Sequence, residues 1–146
     1  MRVLVDEGMP VQVLSPLGLN RRHAFVHVDQ LGWKGKPDVA LFADAAARGY
    51  DAVLTLDVAQ LDAVDESRAL KRSGLHHIGI RQGRSAQGIR GIARVVASVV
   101  AAMPYVLDDL IKADGQRIVE LSLLGPGRRH QVFDPRIETT RFPYWR

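Results

Sequence analysis

Four short runs of apolar and β-branched residues punctuate the first half of the chain: RVLV (2–5), HAFVHV (23–28), DAVLTL (51–56) and HHIGIR (76–81). Each has the length and composition of a β-strand, and the segments between them carry helix or turn signals. Residues 9–20 read as an irregular helix or loop broken by Pro16 and Gly18. After a GWKGKP loop, DVALFADAAARG places Val39, Leu41, Phe42 and Ala45 or Ala46 near helical spacing, with Asp38 in the N-cap region and Gly49 at the stop. Residues 58–72 read as a charged helix. Strands alternating with helices argue for a mainly parallel sheet with helices on its faces, because a parallel connection needs a crossover and the helix supplies it.

The last third has a different pattern. Ser85 can cap a helix in which Ile89, Ile92, Ala93, Val96, Val99, Val100 and Met103 form one apolar stripe ending near Pro104, and YVLDDLIKA (105–113) reads as a second helix. RIVELSLL, a GPG turn and RHQVF then read as a β-hairpin that adds antiparallel strands to the sheet edge. The tail RIETTRFPYWR mixes aromatics with arginine and is expected to be an arm or interaction segment. The apolar helix itself is expected to be core or the interface of a homodimer.

A chain of 146 residues with 47% hydrophobic content can bury one core, so one domain is expected over 1–146, with a βαβαβ core in 1–81 and the helices, hairpin and tail in 85–146. No run of 18 or more apolar residues is present, and the expectation is a soluble cytoplasmic protein with no membrane partner. The absence of cysteine excludes disulfides, thiolate zinc sites and cysteine nucleophiles together. Any metal must therefore be held by oxygen or imidazole. The formal charge is +4 and is carried by 16 arginines against four lysines, a bias that suits bidentate binding of phosphate oxygens and equally describes a solvated basic surface.

Two of the strand-like runs stop on an acid, Asp6 and Asp57, and Asp38 opens the helix between them. In an open parallel sheet, ligands bind at the carboxyl ends of the strands, where helix N-termini also point. All three acids are thereby expected at one edge. Carboxylates held that close raise one another's pKa unless a cation lies between them, and hard oxygen ligands select Mg²⁺ or Mn²⁺. Taken singly, Asp38 and Asp57 also read as helix caps, and Asp6 with Glu7 as a turn.

RVLVDEGMP resembles the opening of PIN-like domains, the nuclease fold of VapC-type toxins in bacterial toxin–antitoxin modules. PDVALFADAAARGYDAVLTLD is similar to the same family's segment, in which an Asp starts a helix and the next strand ends in Thr-x-Asp. The resemblance spans residues 1 to about 81 and is nearest to the short PIN-like variant. It implies a three-layer α/β/α sandwich and an endoribonuclease that hydrolyses RNA phosphodiesters with Mg²⁺ or Mn²⁺. By position, Asp6, Asp38 and Asp57 would be the catalytic metal ligands, Thr55 their support, and Glu7 or Asp29 the substitute for a further acid of larger members. Lys34, Lys36, Arg81 and Arg84 would bind RNA phosphates, and the protein partner would be a cognate antitoxin.

Two other classes fit parts of the same sequence. A non-catalytic PIN-like interaction module would use the apolar helix and hairpin to bind a partner. A phosphoacceptor receiver domain also ends its first strand in paired acids and its third in Asp, although no lysine here follows a late strand. His76 and His77 are adjacent in a strand and point to opposite faces, so they are not expected to share a metal.

Overall fold

The computed structural model describes residues 1–81, 88–124 and 130–145. The expected alternation is present as β1 (Arg2–Val5), α1 (Leu14–Leu17), β2 (Ala24–His27), α2 (Asp38–Ala47), β3 (Ala52–Thr55), α3 (Val64–Ser73), β4 (His76–Ile80), α4 (Gly88–Lys112), β5 (Ile118–Leu121) and β6 (His130–Phe133). Gly49 and Gly74 follow α2 and α3 with φ of 78° and 73°, a left-handed conformation that a side chain would resist.

Among the described residues the strands form a six-stranded sheet in the order β2-β1-β3-β4-β5-β6. β2, β1, β3, β4 and β5 run parallel, and β6 pairs antiparallel with β5 at the edge. The hairpin expectation is corrected in one respect. β5 joins β4 in parallel, with Ile78 opposite Val119, because α4 carries the chain back across the sheet before β5 begins. Only β6 is antiparallel.

Alternation along each strand divides the core in two. Val3, Val5, Ala52, Leu54, Ile78, Ile80 and Val119 face α4 and the turn around Met9 and Val13. Leu4, Val53 and Ile118 face α2 and α3 through Phe42, Leu41, Ala45 and Leu70. Helices thus cover both faces, which makes a three-layer α/β sandwich.

α4 differs from the sequence expectation twice. It runs as one helix through Pro104, where two were expected. A proline inside a helix costs about 3 kcal/mol, while each large apolar side chain buried beyond it contributes roughly 1.5–3 kcal/mol, and Val106, Leu107 and Leu110 are all buried. The buried face is also rotated. It consists of Gly91, Val95, Ser98, Val99, Ala102, Met103, Val106, Leu107 and Leu110, whereas Ile89 is 86% exposed. Ser98 belongs to this face because its hydroxyl donates to the Arg94 carbonyl at 2.6 Å and accepts from the Leu124 amide at 2.8 Å. By length and composition alone α4 would suffice to cross a membrane, yet its apolar face is packed on the sheet. The proposed Ser85 cap and GPG turn lie outside the described residues.

The C-terminal tail is core, not an arm. Phe142 and Trp145 are buried on the α3 side of the sheet, and Phe142 meets Phe133 and Trp145 edge to face. Trp145 donates its indole N–H to Gln116 Oε1 at 3.2 Å, and Lys71 Nζ donates to its carbonyl. Gln116 in turn donates to the Leu70 and Leu75 carbonyls, so one glutamine ties the tail to the end of α3. Trp145→Ala is therefore expected to lower unfolding free energy by about 3 kcal/mol in a urea titration. An unchanged midpoint would mean that the tail is an appendage.

Candidate functional site

β1 and β3 are neighbours at the centre of the sheet, and the chain leaves them in opposite directions: from β1 to β2 on one side, from β3 to β4 on the other. This is the topological switch point of a doubly wound sheet, where diverging loops leave a crevice. A cavity of about 400 Å³ opens there, lined by Asp6, Glu7, Gly8, Gly35, Lys36, Pro37, Asp38, Asp57, Gln60 and Glu66.

Asp6 follows β1 and keeps to the ladder, its amide donating to the Leu54 carbonyl at 2.9 Å. Its carboxylate is buried and accepts from the Thr55 hydroxyl at 2.8 Å and from the Glu7 amide at 2.8 Å. Thr55 is fully buried, and the same hydroxyl accepts from the Asp57 amide at 2.9 Å. One hydroxyl thereby fixes Asp6 relative to the backbone that carries Asp57. Asp57 Oδ1 accepts from the Ala59 amide at 3.1 Å and caps the turn Val58–Leu61. The cap reading of Asp57 holds while its carboxylate also lines the cavity. Glu7 Oε2 accepts from the Gly35 amide at 2.9 Å and pins the loop that leads into α2.

Asp38 behaves differently. Pro37 occupies the N-cap position of α2 and no side chain caps the helix, so Asp38 is the first helical residue and not its cap. Burial raises its carboxyl, the nearby Gln60 amide pulls it back, and the negative charges of Asp6, Glu66 and Asp57 raise it further, to about 6. The Gln60 Nε2 that lies near it makes no hydrogen bond of good geometry. The fold thus raises the Asp38 carboxyl first by burial and then by like charge.

The structure brings Asp6, Glu7, Asp38 and Asp57 to one cavity, with Thr55 beneath, and it distributes the basic residues more widely. Lys36 lines the cavity but is paired with Asp44 and lies 4.6 Å over the Trp33 ring. Lys34 is exposed and does not line it. Arg81 lines a neighbouring cavity with Val58, Gly79, Glu120, Ser122 and Gln131, and Arg84 lies outside the described residues. Asp29 sits in a turn beside His27, away from the acids. His76 and His77 do point apart: His77 is fully buried and reaches Gln60, while His76 Nδ1 accepts from the Arg117 amide.

Two lining residues escaped sequence reasoning. Residues 58–72 read as one helix, which buries Glu66 in its middle; the structure spends 58–61 on a tight turn, so α3 begins at Val64 and Glu66 stands in its first turn. Acids favour a helix N-terminus, and the DES of residues 65–67 was the available signal. Gln60 carried no signal, since its importance comes from contact with His77 of another strand.

The donor set suits a hard cation in chemistry but not as a closed cage. Among the described residues no group of three or more His, Asp or Glu side chains is arranged to hold a metal ion. The carboxylates line the walls, an arrangement that matches Mg²⁺, which keeps most of its waters and uses one or two carboxylates with substrate phosphate. Asp38 and the acids that crowd it are the residues that would hold such an ion. Comparison with known protein families, curated proteins and solved structures returns no match.

A carboxylate pKa raised by the fold lets the folded state bind more protons than the unfolded state between pH 3.8 and about 6, so this group's penalty develops as pH rises through that window and is complete above it. In chelator, Asp38→Asn is expected to stabilise the protein at pH 7 by about 1 kcal/mol, allowing for solvent screening, and to change little at pH 3.5. Thermal unfolding at the two pH values checks this, and equal shifts at both would contradict the electrostatic origin.

Proposed function

We propose that the protein is a metal-dependent endoribonuclease of PIN-like type, the toxin of a bacterial toxin–antitoxin pair. The observation that carries this reading is the meeting of Asp6, Asp38, Asp57 and Glu66 around one cavity at the switch point of the sheet. Strand order alone is shared by unrelated activities, so the site carries the functional argument. The resemblance of RVLVDEGMP and of the Asp-initiated helix before LTLD to PIN-like domains names the same three aspartates.

Bound Mg²⁺ or Mn²⁺ would supply a hydroxide-generating and charge-stabilising centre for phosphodiester hydrolysis. The chain's own residues prepare the place for it. Thr55 holds the Asp6 carboxylate in one orientation, and Glu7 fixes the loop before α2. Burial and like charge keep Asp38 in need of a counter-charge. Arginine in excess on a chain of net charge +4 supports attraction of an RNA backbone toward the acidic cavity. The partner on this reading is a cognate antitoxin.

A second reading, a PIN-like interaction module, is favoured by the apolar cleft of about 160 Å³ between α1, β2 and α4 and by the exposed Ile89 and Ile92. The two are separated by cleavage of single-stranded RNA by wild type and Asp6→Asn, each with Mn²⁺ and with chelator. Wild type with Mn²⁺ is expected to cut, and Asp6→Asn to lose on the order of 100-fold or more. Equal cleavage in all four samples would remove the nuclease reading, and Asp6→Asn that kept full partner function would support the module.

A further inference from the structure

The register of the sheet carries the acidic cavity into a second one. Past the end of β1 the Asp6 carboxylate meets the Thr55 hydroxyl, and Thr55 lies opposite Gly79, Gly79 opposite Glu120, and Glu120 opposite Gln131. Side chains two apart on a strand share a face, so this row continues the face on which Leu4, Val53 and Ile118 pack against α2 and α3. Those residues are apolar, whereas the row reads Asp, Thr, Gly, Glu and Gln. Polarity at the carboxyl ends of the strands therefore runs from the centre of the sheet to β6 at its edge.

Beside this row is a cavity of about 320 Å³, with Val58, Gly79, Arg81, Glu120, Ser122 and Gln131 in its walls. Asp57 lines the acidic cavity and Val58 the second, so one step of the chain divides them. Gly79 lets Val58 stand there, since a Cβ on residue 79 would come within 2.7 Å of Val58 Cγ1. Gly79 lies two strand spacings from Asp6, about 10 Å. A nucleotide spans that distance from its phosphate to the far edge of its base.

The groups in the second cavity differ in kind from the acids next door. Glu120 Oε2 accepts from Arg141 at 2.7 Å. The Arg81 guanidinium, the Ser122 hydroxyl and the Gln131 amide make no hydrogen bond or ion pair within the described residues. An amide offers a donor and an acceptor side by side, which is what the edge of a nucleobase requires. A guanidinium binds phosphate oxygens in pairs, and Val58 gives a ring an apolar wall. The volume is that of a small-molecule site.

We propose that the second cavity is a nucleoside subsite for the RNA substrate. It takes the base attached to the phosphate held at the acidic cavity, with Gln131 on the base edge and Arg81 on the nucleoside's other phosphate. Its connection to cleavage rests on the cation-dependent phosphodiester reading above, but its own contacts need no cation. Arg81 and Gln131 touch the substrate on this account, and Gly79 acts through Val58 as a positioning residue.

Adenosine 3′,5′-bisphosphate, one base between two phosphates, is the probe. It is titrated in chelator into isotope-labelled protein, and binding is read from the amide resonances of Gly79, Ser122 and Gln131. Saturable shifts are expected at all three. Arg81→Gln is expected to weaken binding about tenfold, the loss of a charge-assisted hydrogen bond, and Gln131→Ala about fivefold, that of a neutral one. Ribose 5-phosphate, which lacks the base, is expected to bind about tenfold more weakly than the probe. Arg21→Gln removes an exposed cation just before β2, at the opposite end of the sheet, and is expected to leave affinity within about twofold. The same spectra report that each variant is folded. Saturating Mg²⁺ is expected to tighten the probe severalfold by engaging its second phosphate.

No saturable shift at Gly79, Ser122 and Gln131 would overturn the subsite. Ribose 5-phosphate bound as tightly as the probe would overturn it too, leaving a site for phosphate alone. So would Arg21→Gln weakening the probe as much as Arg81→Gln, the mark of general attraction to a basic chain. Shifts retained with no effect of Mg²⁺ would contradict the cation reading and leave the nucleoside subsite standing.

Discussion

The Thr55 hydroxyl is the smallest group on which the site depends. It donates to Asp6 and accepts from the Asp57 amide, and so joins the carboxyl ends of the two central strands through one buried atom. The β1–β3 pairing sets Val5 opposite Leu54, and the polar contact continues that register one step past the ladder, where the loops diverge. With both strands buried on both faces, a one-residue slip would drive every side chain into the opposite packed layer, where it does not fit. The position of the acids is therefore a consequence of how the core packs.

What the fold assembles there is unfavourable by itself. Five carboxylates share one cavity on a basic chain, and Asp38 is raised to about 6. Elsewhere polar groups are well provided for, as with Ser98 on α4, Gln116 under the tail, and the Asp134 carboxylate, which Arg136 holds down at about 2. Uncompensated polarity concentrated at one crevice is what a site looks like when the compensating charge comes from an occupant.

The sheet and three of the acids were legible in the sequence because short apolar runs ending on Asp6 and Asp57 carry their own period and stop, and Asp38 opens a well-formed helix. Other features depend on contacts between distant segments. Pro104 halts an isolated helix, but burial of Val106, Leu107 and Leu110 on the sheet carries α4 past it. The aromatic-rich tail reads as exposed until Gln116 and Lys71 are seen to hold Trp145 in place. Glu66 was hidden by a tight turn that periodicity merges into the following helix, and Gln60 gains its meaning from His77 on β4. Register and capping are local, whereas the company kept by a side chain is not.

The central claim is that the crevice between the ends of β1 and β3 is a divalent-cation site. The most direct measurement is the anomalous difference density of crystals grown at saturating Mn²⁺. The account predicts a peak inside the cavity, in coordination contact with the Asp38 carboxylate and at least one of Asp6, Asp57 and Glu66. A cavity that holds only water, with Mn²⁺ bound elsewhere or nowhere, would contradict it.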